Sequence, residues 1–193
     1  MAIGISIVPF VMLELVLRIV GVGYETKLVV EAPDASATTF QFNPAADRAY
    51  YGPQDLSGPD PRYFEIPAPE PIYRIVVIGG STVAGFPYPF ELAMPKHLEV
   101  ILRQQLPETQ FEVLNAGITS SNTFSEVDVT RQVMACDPDL IVVHSGHNEF
   151  YGPGGSASTS SSLMPGWYPL LRPLRRQRSF QLALSLARGP SNA

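Results

Sequence analysis

Residues 74–85 read Arg-Ile-Val-Val-Ile-Gly-Gly-Ser-Thr-Val-Ala-Gly, and this stretch constrains the fold more than any other. Four consecutive β-branched apolar residues, Ile75 to Ile78, suit a short strand buried on both faces. The run stops at Gly79-Gly80, where the chain can turn sharply and let another group approach its backbone. Ser81 and Thr82 follow at once. A hydroxyl on a tight turn at the carboxyl end of a buried parallel strand is where open α/β sheets place ligands and nucleophiles. The plain structural reading is a strand-to-helix turn with Ser81 as the helix N-cap. Both readings fit this stretch taken alone.

Two further apolar runs repeat the pattern. Residues 111–114, Phe-Glu-Val-Leu, form a short strand ending in Asn115-Ala116-Gly117. Residues 140–144, Leu-Ile-Val-Val-His, form another, read as buried on both faces and ending in Ser145-Gly146-His147-Asn148-Glu149. Between the first two lies an amphipathic stretch over residues 90–106, with Pro95 as a marker of its true start. Between the second and third, a helix runs to about Ala135, with Thr123 or Ser125 as N-cap. Asp137-Pro138-Asp139 breaks it.

The order strand-helix-strand-helix-strand predicts a parallel sheet whose three strand ends lie on one side. Ser81, Gly117 and Asn148 each fall just past such an end, so they can converge on one crevice. A hydroxyl nucleophile, a glycine N–H and a side-chain amide are the parts an acyl-transfer site needs. Ser, Gly and Asn are also the ordinary residues of turns, which is the structural alternative.

The flanking segments bound the rest. Residues 3–22 are apolar except for Ser6, Glu14 and Arg18, and roughly 20 residues of helix span a bilayer core. Glu14 and Arg18 stand four apart and can pair. A transmembrane anchor over residues 1–23 is the leading expectation, with the soluble domain outside the cytoplasm. A cleaved signal peptide and a buried amphipathic helix are the alternatives. Residues 24–71 contain eight prolines and read as a spacer, with a short edge strand near residues 27–30. Residues 156–193 hold a Ser-rich stretch, then Arg172, Arg175, Arg176 and Arg178 among apolar residues, and the start of a helix over residues 180–187. The basic part reads as a solvated helix or loop insertion, or as a segment lying on an anionic membrane surface.

Thirteen Lys and Arg against 18 Asp and Glu leave a net charge of −5, which argues against nucleic acid as a partner. A single cysteine, Cys136, excludes an intrachain disulfide and a cysteine-based zinc site, and its apolar neighbours make it an inert packed thiol. A nucleotide-binding domain fits badly, because neither a phosphate-cradling loop with its Lys-Ser/Thr nor a spaced Gly-x-Gly-x-x-Gly is present.

The set Gly79-Gly80-Ser81-Thr82, Asn115-Ala116-Gly117 and Gly146-His147-Asn148-Glu149 resembles the SGNH/GDSL hydrolases, flavodoxin-like serine esterases. The resemblance spans residues 73–152, and the block Gly-His-Asn-Glu-Phe-Tyr-Gly is similar to a membrane-anchored bacterial branch whose members often carry tetratricopeptide repeats. It implies a flavodoxin-like three-layer α/β sandwich with a parallel sheet, its core over residues 72–155. It implies Ser81 as nucleophile, with the Ser81 N–H, the Gly117 N–H and the Asn148 side chain as the oxyanion hole. It implies no cofactor and no metal, and an ester substrate such as an acylated carbohydrate or lipid.

Two residues depart from the pattern: Gly80 stands where an acidic residue is usual, and Glu149 where Asp is common. The family's base is a histidine three residues after an aspartate, and none of His97, His144 and His147 has that spacing. His97 reads as a helix-face residue, and neither of the others is assigned as the base. The expectation is therefore a fragment that ends before the catalytic Asp and His. A non-catalytic ligand-binding or scaffold module on the same fold is the rival reading.

Overall fold

A computed structural model of the chain describes residues 2–52, 57–152 and 173–188, with side chains from residue 8 onward. The apolar run in the middle becomes β4 (Ile72–Gly79), after β1 (Val29–Glu31), β2 (Thr39–Phe42) and β3 (Tyr63–Glu65). β5 (Gln110–Asn115) and β6 (Leu140–His144) flank β4 in the order β5-β4-β6, and both pair with it in parallel. The register runs from Ile72 opposite Gln110 to Val77 opposite Asn115, and from Ile75 opposite Leu140 to Gly79 opposite His144. All three carboxyl ends thus lie on one side, as the strand-helix alternation predicts.

Four β-branched residues in a row are explained by two cores, one on each face of β4. Val76 and Ile78 belong to one, with Leu114, Val129 and Val133; Ile75 and Val77 belong to the other, with Val83, Phe111 and Val113. The first core is roofed by α5 (Thr123–Val133) and the second by α4 (Met94–Gln105), which presents Met94, Leu98 and Leu102. The protein is therefore a mixed α/β fold with helices on both faces of a parallel sheet. Pro95 sits in the first turn of α4, and residues 90–92 form a separate 3₁₀ turn ahead of it, so the helix starts at the proline rather than at residue 90. The N-cap of α5 is Asn122, not Thr123 or Ser125. Its side chain accepts from the Ser125 N–H while Ser125 Oγ accepts from the Asn122 N–H.

The segment read as a spacer has a larger part in the fold. β1, β2 and β3 form an antiparallel sheet, and Leu28, Phe42, Tyr50, Tyr51 and Phe64 join the core under α5. Tyr50 and Tyr51 belong to the single turn α2 (Arg48–Tyr51). Residues 57–62 cover the outer edge of β5. The Asp60 N–H donates to Asn115 O at 3.1 Å, the Thr119 N–H to Ser57 O at 3.0 Å, and the Arg62 side chain to Val113 O. Proline density rules out long elements, yet it suits this edge covering, which needs few ladder bonds. β6 differs from its expected double burial. Among the described residues no strand pairs with its outer edge, and Leu140 and Val143 are exposed.

The apolar N-terminus is α1 (Ala2–Ile19), with Pro9 inside it. Among the described residues no helix is long and apolar enough to cross a membrane. α1 instead meets α6 (Arg178–Arg188) through Glu14. That carboxylate accepts the Arg178 N–H and the Ser179 N–H at 2.9 Å each, and the Ser179 hydroxyl at 3.0 Å, while Arg18 bridges it at 2.8 Å. A remote carboxylate thus satisfies the open N–H groups at the start of α6. The Ser-rich stretch and, of the basic segment, Arg172 lie outside the described residues. Arg176 is described and pairs with Asp128 at 2.8 Å, which makes it an internal tie. Cys136 is buried, and burial pushes its thiol up to about 12, in keeping with an inert packed group.

Candidate functional site

β4 ends on Gly79, whose backbone lies against His144 of β6; a methyl group there would come within 2.4 Å of His144 O. Gly80 is extended and serves as N-cap of the single turn α3 (Ser81–Ala84), without a side-chain cap bond. Gly85, at φ +90°, closes that turn through its N–H to Ser81 O at 2.9 Å. Ser81 is therefore the first residue of the turn and not its cap. Its hydroxyl, half-buried, bonds to no other described residue. An N-cap serine would spend its oxygen on a backbone N–H, so the capping reading of Ser81 fails on this geometry.

Asn148 comes to the same turn from the loop after β6. A methyl group built on Gly80 would lie 2.6 Å from Asn148 Nδ2 and 3.2 Å from His147 Nε2. The absence of a side chain at position 80, a departure from the resembled pattern, thus has a physical reason: these two groups occupy the space. One hydrogen of the Asn148 amide goes to Ser121 O at 2.9 Å, and the Gly152 N–H returns to Asn148 O at 2.7 Å. The same amide nitrogen lies against the turn at Gly80.

Gly117 is beside the turn but does different work. A methyl group on it would meet Ala84 N at 2.4 Å, so the glycine lets the loop after β5 press on the backbone of α3. Its N–H donates to Asn115 Oδ1 at 3.0 Å, and Asn115 Nδ2 donates to Val83 O at 2.8 Å. That N–H, assigned to an oxyanion by resemblance, is engaged within the loop.

Ser120 carries no signal in the sequence. It takes the left-handed conformation, φ +63°, which is uncommon for a residue other than glycine. Its N–H finds no acceptor among the described residues, and it directly precedes the carbonyl that holds Asn148. A Ser-Ser-Asn loop is too ordinary a sequence to announce it.

Glu126 likewise stands out only in the structure. It is buried on the first turn of α5, with the Ser121 hydroxyl at 3.4 Å. Burial, reinforced by the Glu149 carboxylate, raises its carboxyl above the ordinary range, although hydroxyl bonds from Ser145 and Ser121 and the His147 ring pull the other way. Glu149 accepts from the Thr123 N–H at 3.0 Å and the Thr123 hydroxyl at 2.8 Å, at the start of α5. His144 and His147 stand with ring centres 6.3 Å apart. His97 lies on α4 with its Nδ1 3.1 Å from Ala93 O, a helix-face histidine as expected.

Two cavities of about 520 and 470 Å³ lie elsewhere, along α4 and the edge of β5. Their charged linings, Arg62, Arg103 and Lys96, converge on Glu99, so these groups are consumed in holding the fold. The unpaired hydroxyl and open N–H donors are at the strand ends.

The chain matches no protein-family model, and no curated protein matches it. Among solved structures it is similar to AlinE4, described as an SGNH-hydrolase family esterase, at 20% identity over 60% of this chain and 54% of that one, with a TM-score of 0.38. It is also similar to a mutant of the esterase AlinE4, at 25% identity over 40% of this chain and 41% of that one, with a TM-score of 0.36. The chain thus spans about half or less of the length of the solved structures it resembles.

Proposed function

We propose that this chain carries the nucleophile and oxyanion-binding part of an SGNH-type serine hydrolase on a flavodoxin-like sheet, acting on ester bonds. The observation that carries the reading is Ser81. Its hydroxyl is free and uncapped at the end of the central parallel strand, with the Asn148 amide packed over the residue before it.

Ser81 Oγ attacks the ester carbonyl, and the carbonyl oxygen gains negative charge as the carbon becomes tetrahedral. The Ser81 N–H, the Ser120 N–H and the second hydrogen of the Asn148 amide are the donors for that oxygen. Each is open among the described residues, and such donors stabilise developing charge without reorganising at the moment of reaction. The family resemblance implies the histidine of an Asp-x-x-His pair as the acceptor of the Ser81 proton, a spacing that His97, His144 and His147 lack. Acylated carbohydrates and lipids are the proposed substrate class.

The apolar N-terminal stretch, residues 1–23, is proposed to hold the protein at a membrane, with the hydrolase domain outside the cytoplasm. Val8, Phe10, Val11, Met12, Leu15, Val16 and Ile19 are exposed around the helix, an apolar girth that suits a lipid surround. Glu14, the acidic residue within it, has its oxygens occupied by Arg18 and the start of α6, which lowers its cost in that setting.

The test is hydrolysis of short-chain and long-chain p-nitrophenyl esters by the full-length protein, with Ser81→Ala alongside. Turnover that disappears in the variant supports the reading. A folded wild type without turnover on any ester, but with saturable binding of an acylated sugar, would favour the ligand-binding module.

A further inference from the structure

We infer that His147 is a catalytic hydrogen-bond donor: its Nε2–H meets the ester carbonyl oxygen beside the Asn148 amide as negative charge builds there. The inference rests on the serine-hydrolase reading of Ser81 and adds a group which that reading does not use. Three observations carry it.

First, the two nitrogens converge. A methyl group on Gly80 would lie 2.6 Å from Asn148 Nδ2, 3.2 Å from His147 Nε2 and 3.3 Å from His147 Cε1. Both side chains therefore face the space above the residue that precedes the nucleophile, and only a glycine leaves that space open. Second, the donor that the motif pattern supplies from the loop after β5 is taken, because the Gly117 N–H bonds to Asn115 Oδ1 at 3.0 Å. Third, the His147 ring has no hydrogen-bond partner among the described residues, and no bond joins it to Ser81. A base poised to take the serine proton is expected within hydrogen-bond reach of Oγ. A donor for substrate is expected to be unpaired until substrate arrives.

The electrostatic setting agrees with this geometry. The buried Glu126 feels the His147 ring, which pulls its carboxyl down against the raising effect of burial. Nε2 carries a hydrogen in the imidazolium and in one of the two neutral tautomers.

The experiment measures the second-order rate of fluorophosphonate labelling at Ser81 in the full-length protein from pH 5 to 9, for wild type, His147→Ala and His147→Gln. The expected result is a loss of about 10²–10³-fold in His147→Ala, the magnitude of one oxyanion donor. His147→Gln, which restores an N–H at similar reach, should recover to within about tenfold of wild type and keep its pH inflection. Gly80→Ala, which puts a methyl group in the ring's space, should slow labelling on its own and add little to His147→Ala, since the two changes disturb one contact. Equal rates in wild type and His147→Ala would overturn the inference while leaving Ser81 as nucleophile. A glutamine variant as slow as the alanine variant, with the inflection gone, would also overturn it and make the ring the proton acceptor. A folded wild type with no adduct on Ser81 would remove the hydrolase reading itself, and the inference with it.

Discussion

Two glutamates on opposite faces of the parallel sheet are almost equally hidden, Glu99 at 2% exposure on α4 and Glu126 at 5% on α5. They are served very differently. Glu99 receives Lys96 Nζ at 2.7 Å, Arg103 Nη2 at 2.8 Å and Arg62 Nη1 at 3.4 Å. Burial alone would raise its carboxyl, but the Lys96 bond and the three positive charges outweigh burial and hold it below the ordinary glutamate range. Glu126 has hydroxyls, a second carboxylate and a histidine around it, and its carboxyl is raised. A carboxylate neutralised on every side is a fastening. One left short of positive charge at the strand ends marks the place where the protein tolerates an electrostatic cost, and perturbed groups of that kind gather at reactive sites.

The contrast can be broken first at the donors. Asn148→Ala in the full-length protein should lower ester turnover by about 10²–10³-fold, roughly 2.7–4 kcal/mol of barrier, with the thermal midpoint nearly unchanged. Unaltered turnover would mean that the amide packed on Gly80 is an ordinary loop tie.

Gly117→Ala probes the packing beneath the site. Its methyl group would meet the backbone of α3, at Ala84 N, at 2.4 Å, and backbone cannot step aside cheaply. A stability loss of about 1–3 kcal/mol in urea unfolding is expected. A fully stable variant would show that the loop after β5 does not press on α3.

Next comes the fastening itself. Glu99→Gln should cost about 1–3 kcal/mol at pH 7, since three cations lose their charged acceptor. The sign with pH is definite. A carboxyl held low in the folded state stabilises above its ordinary value of 4.5, and that contribution disappears as pH falls through the folded value. Wild type should therefore lose stability on acidification below about pH 4.5, and the glutamine variant should lose less.

Glu126→Gln gives the smallest effect and the opposite sign. A raised carboxyl favours the fold below the ordinary value of 4.5, and the benefit is lost as pH climbs through the folded value. The variant should differ from wild type by under about 1 kcal/mol at pH 7, and should remove a decline in stability as pH rises above the ordinary value of 4.5. Parallel pH profiles for the two glutamine variants would erase the distinction between the two regions.

Much of the frame was legible because burial on both faces leaves a plain mark. The β-branched run at Ile75 to Ile78 became β4, and Leu140 to His144 became β6 with the same bounds. Pro95 located the start of α4 for a local steric reason. The convergence of Ser81 and Asn148 on one turn followed from parallel strand order. What escaped the sequence depends on contacts between distant segments. The Tyr50-Tyr51 and Tyr63-Phe64 clusters read as wrapping against the core, and they do, but Phe42 in the same proline-rich stretch shows its place only when it meets that core. Glu14 reads as a blemish in an apolar helix until it meets the N–H groups of Arg178 and Ser179. The engagement of the Gly117 N–H by Asn115, and the left-handed Ser120, are set by loop geometry that residue types alone do not reveal.

The most direct measurement of the central claim is covalent. Full-length wild type and Ser81→Ala would be treated with a fluorophosphonate probe, digested, and the adduct located by mass spectrometry. An adduct on Ser81 in wild type, absent from the variant, is the predicted result. A folded wild type that takes no adduct, or a variant labelled as fully as wild type, would contradict the assignment of Ser81 as nucleophile.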